Sequence, residues 1–144
     1  MTAHQAALEA LTRYFGYDSF RPGQQGIVEA LLAGRDVLGV MPTGAGKSVC
    51  YQIPAALSPG VTLVISPLIS LMRDQVDALN DLGLPAAFIN TTQTPDEQAM
   101  VFAQAAAGQI KLLYVAPERL ETGRFRDFAA RTPISLIAVD EAHC

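Results

Sequence analysis

The chain has 144 residues, half of them apolar, with a formal net charge of -4 and a sequence pI near 5.0. This length and apolar content suffice for one domain with a buried core, and the acidic balance argues against a surface that binds nucleic acid everywhere, without excluding a local site. No apolar run approaches the roughly 20 residues of a membrane helix, and the N-terminus lacks the features of a signal peptide, so we expect a cytoplasmic protein with no membrane partner.

The first predicted strand, DVLGVM at 36–41, leads into a glycine-rich loop and a predicted helix at 47–57. The glycines permit a sharp turn and let phosphate oxygens approach backbone N–H groups at the positive end of the helix. Lys47 would reach the β- and γ-phosphates of a nucleotide, and the Ser48 hydroxyl would bind Mg²⁺. Met41 stands where the usual pattern has its first glycine, so the loop begins in a variant manner. The predicted phosphate-binding residues are Thr43, Gly44, Ala45, Gly46, Lys47 and Ser48.

The second predicted strand, TLVIS at 62–66, precedes a predicted amphipathic helix within residues 67–83. Apolar residues recur there at three- and four-residue spacing, which predicts one buried helix face. Gly83 follows the last of them and is suited to the C-terminal cap. The predicted buried face consists of Leu68, Met72, Val76, Leu79 and Leu82.

Two further predicted strands, AAFIN at 86–90 and IKLLYV at 110–115, lie on either side of another predicted helix. Thr94, Pro95 and Glu97 have the spacing of a capping box with proline in the first turn, which predicts where that helix begins. Strands that alternate with helices and are apolar on both faces predict an α/β fold with a mostly parallel sheet between helix layers. Ligands of such sheets bind beyond the carboxyl ends of the strands.

The last predicted strand, ISLIAVD at 134–140, ends in adjacent acidic residues. Side-chain alternation lets one carboxylate address a metal ion while its neighbour faces the attacking water. Asp140 is therefore the candidate Mg²⁺ ligand, and Glu141 is the candidate base that orients and deprotonates water. His143 is either a structural histidine or a residue that couples the γ-phosphate to the rest of the protein.

The two cysteines give no sign of further chemistry. Cys50 and Cys144 are far apart and have no metal-binding spacing. We therefore expect buried or incidental thiols.

From Tyr14 to Cys144 the sequence resembles bacterial RecQ DNA helicases, which belong to superfamily 2. The resemblance rests on five blocks in order: YFGYDSFRPGQ, VMPTGAGKSVCYQIPA, VISPLISLMRDQV, LLYVAPERL and VDEAHC. It implies a RecA-like P-loop NTPase fold, with helices on both faces of the sheet, that is C-terminally incomplete in this chain. It also divides this part of the first motor domain into an N-terminal helical segment with an adenine-recognition motif at 1–24 and a βα core at 36–144.

The resemblance also assigns residues that the local pattern alone would not. It implies that Tyr17 and Arg21 sandwich the adenine of ATP, while the carboxamide of Gln24 offers a donor and an acceptor to the adenine edge. Gln25 is the alternative to Gln24. Without the resemblance, this segment would be interpreted as a turn into a helix with an exposed arginine.

Contacts with DNA are implied at two of the blocks. Ser66 and Pro67, at the start of the helix after the second strand, would bind a phosphate of single-stranded DNA through hydroxyl and N–H groups. Pro117 and Arg119 match a motif near the DNA path. The alternative is an ordinary loop at the first block and a surface arginine at the second.

The resemblance implies an ATP- and Mg²⁺-dependent motor that moves 3′ to 5′ on single-stranded DNA and unwinds forked duplexes in recombination and repair. In that family the chain continues with an aromatic-rich loop and a second RecA-like domain that supplies an arginine to the γ-phosphate. We therefore expect the 144 residues alone to be poorly soluble, to bind Mg-ATP weakly and to hydrolyse it hardly at all. The alternatives are an RNA helicase of related type and a nucleotide-binding module without turnover.

Overall fold

The computed structural model describes residues 2–37 and 47–139, which form two compact units divided between Ser58 and Pro59. The predicted strand at 36–41 lies mostly outside these residues, and its two described residues, Asp36 and Val37, belong to no strand. Among the described residues, no helix is both long and apolar enough to cross a membrane.

The first unit is helical. It contains α1 (Ala3–Ala10), a π-helical turn (Leu11–Phe15), α2 (Gln24–Leu32) and α3 (Val49–Leu57). The π-helical turn ends at Gly16, whose φ of 73° is a conformation that glycine adopts without strain. The helices share one apolar cluster. Its buried members are Ala7, Ala10, Leu11, Val28, Val49 and Ile53.

The second unit is a parallel sheet with helical connections. Its strands are β1 (Val61–Ile65), β2 (Ala86–Ile89), β3 (Leu112–Val115) and β4 (Ile134–Val139). They are ordered β2-β3-β1-β4, and all pairs are parallel. The predicted strands at 62–66, 86–90, 110–115 and 134–140 are therefore confirmed, with small differences at their ends. The α/β fold class is confirmed as well.

Helices lie on both faces of this sheet: α4 (Ile69–Asp81), α5 (Pro95–Ala106) and α6 (Gly123–Arg131). On one face, the rings of Phe102 from α5 and Phe128 from α6 are 5.0 Å apart and belong to the cluster that includes Leu63 of β1. Because side chains alternate along a strand, Phe88 points to the other face, where Arg73 of α4 lies 5.9 Å from its ring centre.

The predicted caps of two helices are confirmed. Thr94 and Glu97 form the capping box of α5, with Pro95 in its first turn. Gly83 has a φ of 90° after α4, and the N–H of Leu84 donates to the carbonyl of Leu79. This is the Schellman arrangement, which satisfies the last carbonyls of the helix.

One predicted member of the buried face of α4 is wrong. Met72, Val76 and Leu79 are buried, but Leu82 is exposed. The helix ends at Asp81 and the chain turns sharply at Gly83, so that Leu84 enters the core instead.

The expectation of strands apolar and buried on both faces is also wrong at one edge of the sheet. All four residues of β3 are buried, whereas Ile137 and Val139 of β4 are 57% and 59% exposed. β4 is an edge strand among the described residues, and the aromatic cluster of α5 and α6 covers the centre of that face instead.

Candidate functional site

The carboxyl ends of the four strands lie at the same level. Val115 of β3 pairs with Ile65 of β1 and with Ile89 of β2, and Ile65 also pairs with Val139 of β4. The residues that follow these strands therefore begin together along one edge of the sheet. Because α/β sheets bind ligands beyond this edge, we expect the functional site there.

Ser66 follows β1 at this edge and is buried. Its Oγ accepts a hydrogen bond from the N–H of Leu68 at 3.2 Å, and its own N–H donates to the carbonyl of Val115. The hydroxyl can still donate its proton, since a serine oxygen accepts and donates at once. Pro67 beside it is exposed.

The loop after β2, residues 90–94, is held by polar side chains that sequence reasoning missed. The Gln93 Nε2 donates to the carbonyl of Phe88 at 2.8 Å, and its Oε1 accepts the N–H of Asn90 at 3.1 Å. The Gln98 Nε2 donates to the carbonyl of Asn90 at 3.0 Å and to that of Gln93 at 3.4 Å. We call Asn90, Gln93 and Gln98 the carboxamide cluster. The only sequence signal for it was Asn90 directly after a strand end, since Gln98 lies within α5 and matches no motif.

The carboxamide cluster borders a cavity of about 360 Å³, which we call the arginine cavity. Thr122 donates its hydroxyl proton to the carbonyl of Arg119 at 2.8 Å, and Arg124 donates to the carbonyl of Pro95 at 2.8 Å. The cavity is lined by Thr91, Gln93, Pro95, Gln98, Arg119, Thr122 and Arg124.

Arg119 has an unusual environment. Its Nε is buried and has no hydrogen-bond partner within the described residues. A buried donor without an acceptor costs free energy, and it costs more when the group is charged. Together with Arg124, it makes the cavity suited to an anion. Pro117, the other predicted residue of this block, is exposed at the start of a 3₁₀ helix, Pro117–Glu121.

Glu97, in the first turn of α5, is held by the capping residue of its own helix. The N–H of Thr94, and then its hydroxyl, hold the pKa of the Glu97 carboxyl below its ordinary value, with a smaller contribution from the charge of Arg73. Glu97 is therefore ionised at neutral pH and caps α5.

The residues assigned to adenine lie between the π-helical turn and α2. Tyr17 is 50% exposed, and its carbonyl accepts the hydroxyl proton of Thr12 at 2.9 Å. Arg21 is exposed, whereas Gln24 is only 3% exposed. The Gln24 Oε1 accepts the N–H of Arg21 at 2.8 Å, so its acceptor already caps this turn, and Gln25 beside it is exposed.

Two of the predicted phosphate-binding residues are described. Lys47 and Ser48 precede α3, and their carbonyls accept the N–H groups of Cys50 at 3.0 Å and of Gln52 at 2.9 Å. The predicted helix at 47–57 is confirmed as α3, which begins at Val49. Cys50 is buried, and this burial raises the pKa of its thiol.

The remaining predicted residues of the site lie outside the described residues. Within 2–37 and 47–139, no group of three or more His, Cys, Asp or Glu side chains is placed to hold a metal ion. The undescribed predicted site residues are Thr43, Gly44, Ala45, Gly46, Asp140, Glu141 and His143, and Cys144 is also undescribed.

The structure is an α/β fold whose parallel strands end level at one edge, the edge at which sheets of this class bind their ligands. The family model for DEAD/DEAH box helicases matches residues 21–144, and the chain belongs to this family.

Relatives confirm the resemblance to RecQ helicases. The chain is 52% identical over 138 residues to the ATP-dependent DNA helicase RecQ of Haemophilus influenzae, an alignment that covers 96% of this chain and 22% of the relative. It is 47% identical over 139 residues to the ATP-dependent DNA helicase RecQ of Bacillus subtilis, which covers 96% of this chain and 24% of the relative. The ATP-dependent DNA helicase Q-like 5 of Arabidopsis thaliana is 44% identical over 145 residues, 97% of this chain and 16% of the relative. The chain thus spans less than a quarter of the length of these relatives.

Proposed function

We propose that the protein containing this chain is an ATP-dependent DNA helicase of the RecQ type. It binds Mg-ATP and single-stranded DNA and couples hydrolysis to 3′ to 5′ translocation and duplex unwinding, in the cytoplasm, during recombination and repair. The observation that carries this proposal is the match to helicase relatives along nearly the whole chain, together with an arginine cavity at the sheet edge where ligands bind.

The nucleotide half of the proposal rests on the loop that precedes α3. Lys47 binds the β- and γ-phosphates, and Ser48 holds Mg²⁺ together with Asp140, which follows β4 in the sequence. The hydroxyl of Ser48, at the start of α3, fits this role because hard cations prefer oxygen ligands. When bound, Mg²⁺ neutralises phosphate charge. Glu141 orients and deprotonates the attacking water, and His143 couples this end of the site to the rest of the protein.

Adenine recognition falls on the turn before α2. The exposed ring of Tyr17 and the exposed side chain of Arg21 suit stacking on a purine. Gln24 both caps the turn and recognises the adenine edge. Its burial fixes the side chain, which favours one orientation of the carboxamide.

The DNA half of the proposal rests on the second unit. Arg119 and Arg124 attract a phosphodiester of the DNA into the arginine cavity. The single-stranded DNA then runs along the same sheet edge, past Ser66, Pro67 and Pro117. Such a local site agrees with the acidic pI, because phosphate contacts need only a few positive groups on one face.

We further propose that residues 1–144 belong to the first of two RecA-like domains, the second of which supplies an arginine to the γ-phosphate. The relatives are several times longer than this chain, so they contain sequence enough for such a domain. An arginine of this kind accelerates hydrolysis by about 10³ to 10⁵ in related enzymes.

ATP hydrolysis by the full-length protein tests the proposal. We expect single-stranded DNA to stimulate hydrolysis strongly and RNA of the same length to do so weakly. Equal stimulation by RNA would indicate an RNA helicase, and nucleotide binding without hydrolysis in either case would indicate a binding module without turnover. Unwinding of a duplex with a 3′ single-stranded tail, but not of one with a 5′ tail, tests the direction.

A further inference from the structure

The carboxamide cluster holds the loop at the edge of the arginine cavity through backbone carbonyls. Gln98 lies on α5, one turn into the helix, and donates from one nitrogen to the carbonyls of Asn90 and Gln93. These two carbonyls bracket Thr91 and Thr92. The side chain of Gln98 therefore fixes both ends of this short segment at once.

A second set of bonds holds the segment from within. The Oδ1 of Asn90 accepts the N–H of Thr92 at 2.9 Å, and its Nδ2 lies 3.6 Å from the Sδ of Met72 in α4. Asn90 is buried, whereas Thr91 is exposed. The loop is thus tied to the core at Asn90 and presents Thr91 outward.

The exposed side of this loop faces the arginine cavity. Thr91 and Arg119 line the same cavity, and the buried Nε of Arg119 has no acceptor among the described residues. A phosphodiester in the cavity would supply that acceptor and would meet a hydroxyl and a backbone from the loop.

We infer that Gln98 is a positioning residue for DNA, one that preorganises Thr91 beside Arg119 for one phosphodiester of a single strand. This inference rests on the proposed DNA-binding function. A loop that is already held in its binding conformation loses little freedom when the ligand arrives. Gln98 thus raises DNA affinity while having no part in hydrolysis.

The test uses the full-length protein with Gln98→Met, which keeps an unbranched side chain of similar length and removes the donor. Gln104→Met, at an exposed position of the same helix, is the matched control. ATP hydrolysis is measured against oligothymidylate concentration, with the KM for DNA, the KM for ATP and kcat determined separately. We expect Gln98→Met to raise the KM for DNA by about threefold to tenfold, the factor for one ordinary hydrogen bond, without change in the KM for ATP or in kcat. Gln104→Met should match the wild type.

A double-mutant cycle shows whether Gln98 acts through the loop. If it positions Thr91, then Thr91→Ala raises the KM for DNA, and adding Gln98→Met to Thr91→Ala has little further effect. Fully additive effects would overturn the inference, because Gln98 would then act independently of Thr91.

The remaining outcomes separate this inference from the proposed function. A wild-type KM for DNA in Gln98→Met would overturn the inference while leaving the helicase proposal intact. A loss of kcat and of ATP affinity together with the DNA effect would assign Gln98 a purely structural role and would also overturn it. If DNA neither binds to the wild-type protein nor stimulates its hydrolysis, the proposed function itself fails.

Discussion

Arg21 and Gln24 form two reciprocal hydrogen bonds across one turn. The Gln24 Oε1 accepts the N–H of Arg21 at 2.8 Å, and the N–H of Gln24 donates to the carbonyl of Arg21 at 3.0 Å. The residue assigned to the adenine edge is therefore also the residue that fixes the start of α2.

Gln24→Glu keeps the acceptor and removes the amide donor. We expect the thermal unfolding temperature to fall, because the new carboxylate is buried, and the KM for ATP to rise by about tenfold through loss of a hydrogen bond to the base. Gln25→Glu makes the same charge change at an exposed neighbour and should leave both quantities unchanged. An unaltered KM for ATP in Gln24→Glu would exclude a contact with adenine and leave Gln24 with a capping role only.

Arg119→Met should separate stability from DNA binding. The substitution removes a buried guanidinium nitrogen that has no acceptor within the described residues, so we expect the free energy of unfolding to be unchanged or to rise by about 1 kcal/mol. DNA affinity should fall by about tenfold or more, and its salt dependence should weaken, because one phosphate contact is lost. Arg126→Met, at an exposed position of α6, is the control. Wild-type DNA affinity and salt dependence in Arg119→Met would contradict the cavity's assignment to phosphate.

The capping box of α5 should show a pH dependence. Hydrogen bonds from Thr94 lower the folded-state pKa of Glu97, so its contribution to stability is complete above the unfolded-state pKa and is lost as pH falls through the lowered value. Thr94→Ala removes the hydroxyl but keeps the N–H of residue 94, the larger cause of the lowered pKa, so the cost of losing the cap, about 1 kcal/mol at neutral pH, should fall only modestly in acid. The box of Thr2 and Gln5 at α1 is uncharged, so the cost of Thr2→Ala should not vary over the same range. Thermal unfolding at several pH values measures both, and a parallel pH dependence in the two variants would argue against ionised Glu97 as the cause.

Lys47→Ala and Glu141→Gln should fail in different ways in the full-length protein. Lys47→Ala removes the phosphate ligand and should weaken nucleotide binding as well as abolish turnover. Glu141→Gln should keep binding and slow hydrolysis by about 10² to 10⁴, the usual contribution of a general base. Nucleotide affinity and single-turnover hydrolysis distinguish them, with Glu9→Gln, exposed on α1, as a charge-matched control. Equal loss of nucleotide affinity in both variants would contradict the separate roles.

Local patterns predicted the second unit well because its elements have strong local signals. The cap at Thr94, the stop at Gly83 and the apolar runs of β1 and β3 all depend on residues close in sequence. The exposure of Val139 was not predictable in this way, since it depends on which strand lies at the edge of the sheet.

The candidate site was only partly predictable for the same reason. Lys47 and Ser48 belong to a contiguous motif, which sequence alone can identify. The arginine cavity joins the loop after β2 to residues after β3, so its existence depends on strand order and register. Gln98 belongs to no recognisable motif. Its proposed role depends on hydrogen bonds to backbone carbonyls, which are present whatever the sequence.

Because the strands end level, the length of each strand sets where the residues after it lie at the ligand-binding edge. Strand length therefore affects the geometry of the candidate site as well as folding. Removing one residue from β3 would draw Ala116 back by about 3.3 Å and turn the side chains after it to the opposite face. Arg119 would then leave the arginine cavity and could not contact the proposed phosphodiester, even though every residue of the cavity were still present. Loops at this edge therefore tolerate insertions that the strands beneath them do not, and variation among homologues should concentrate accordingly.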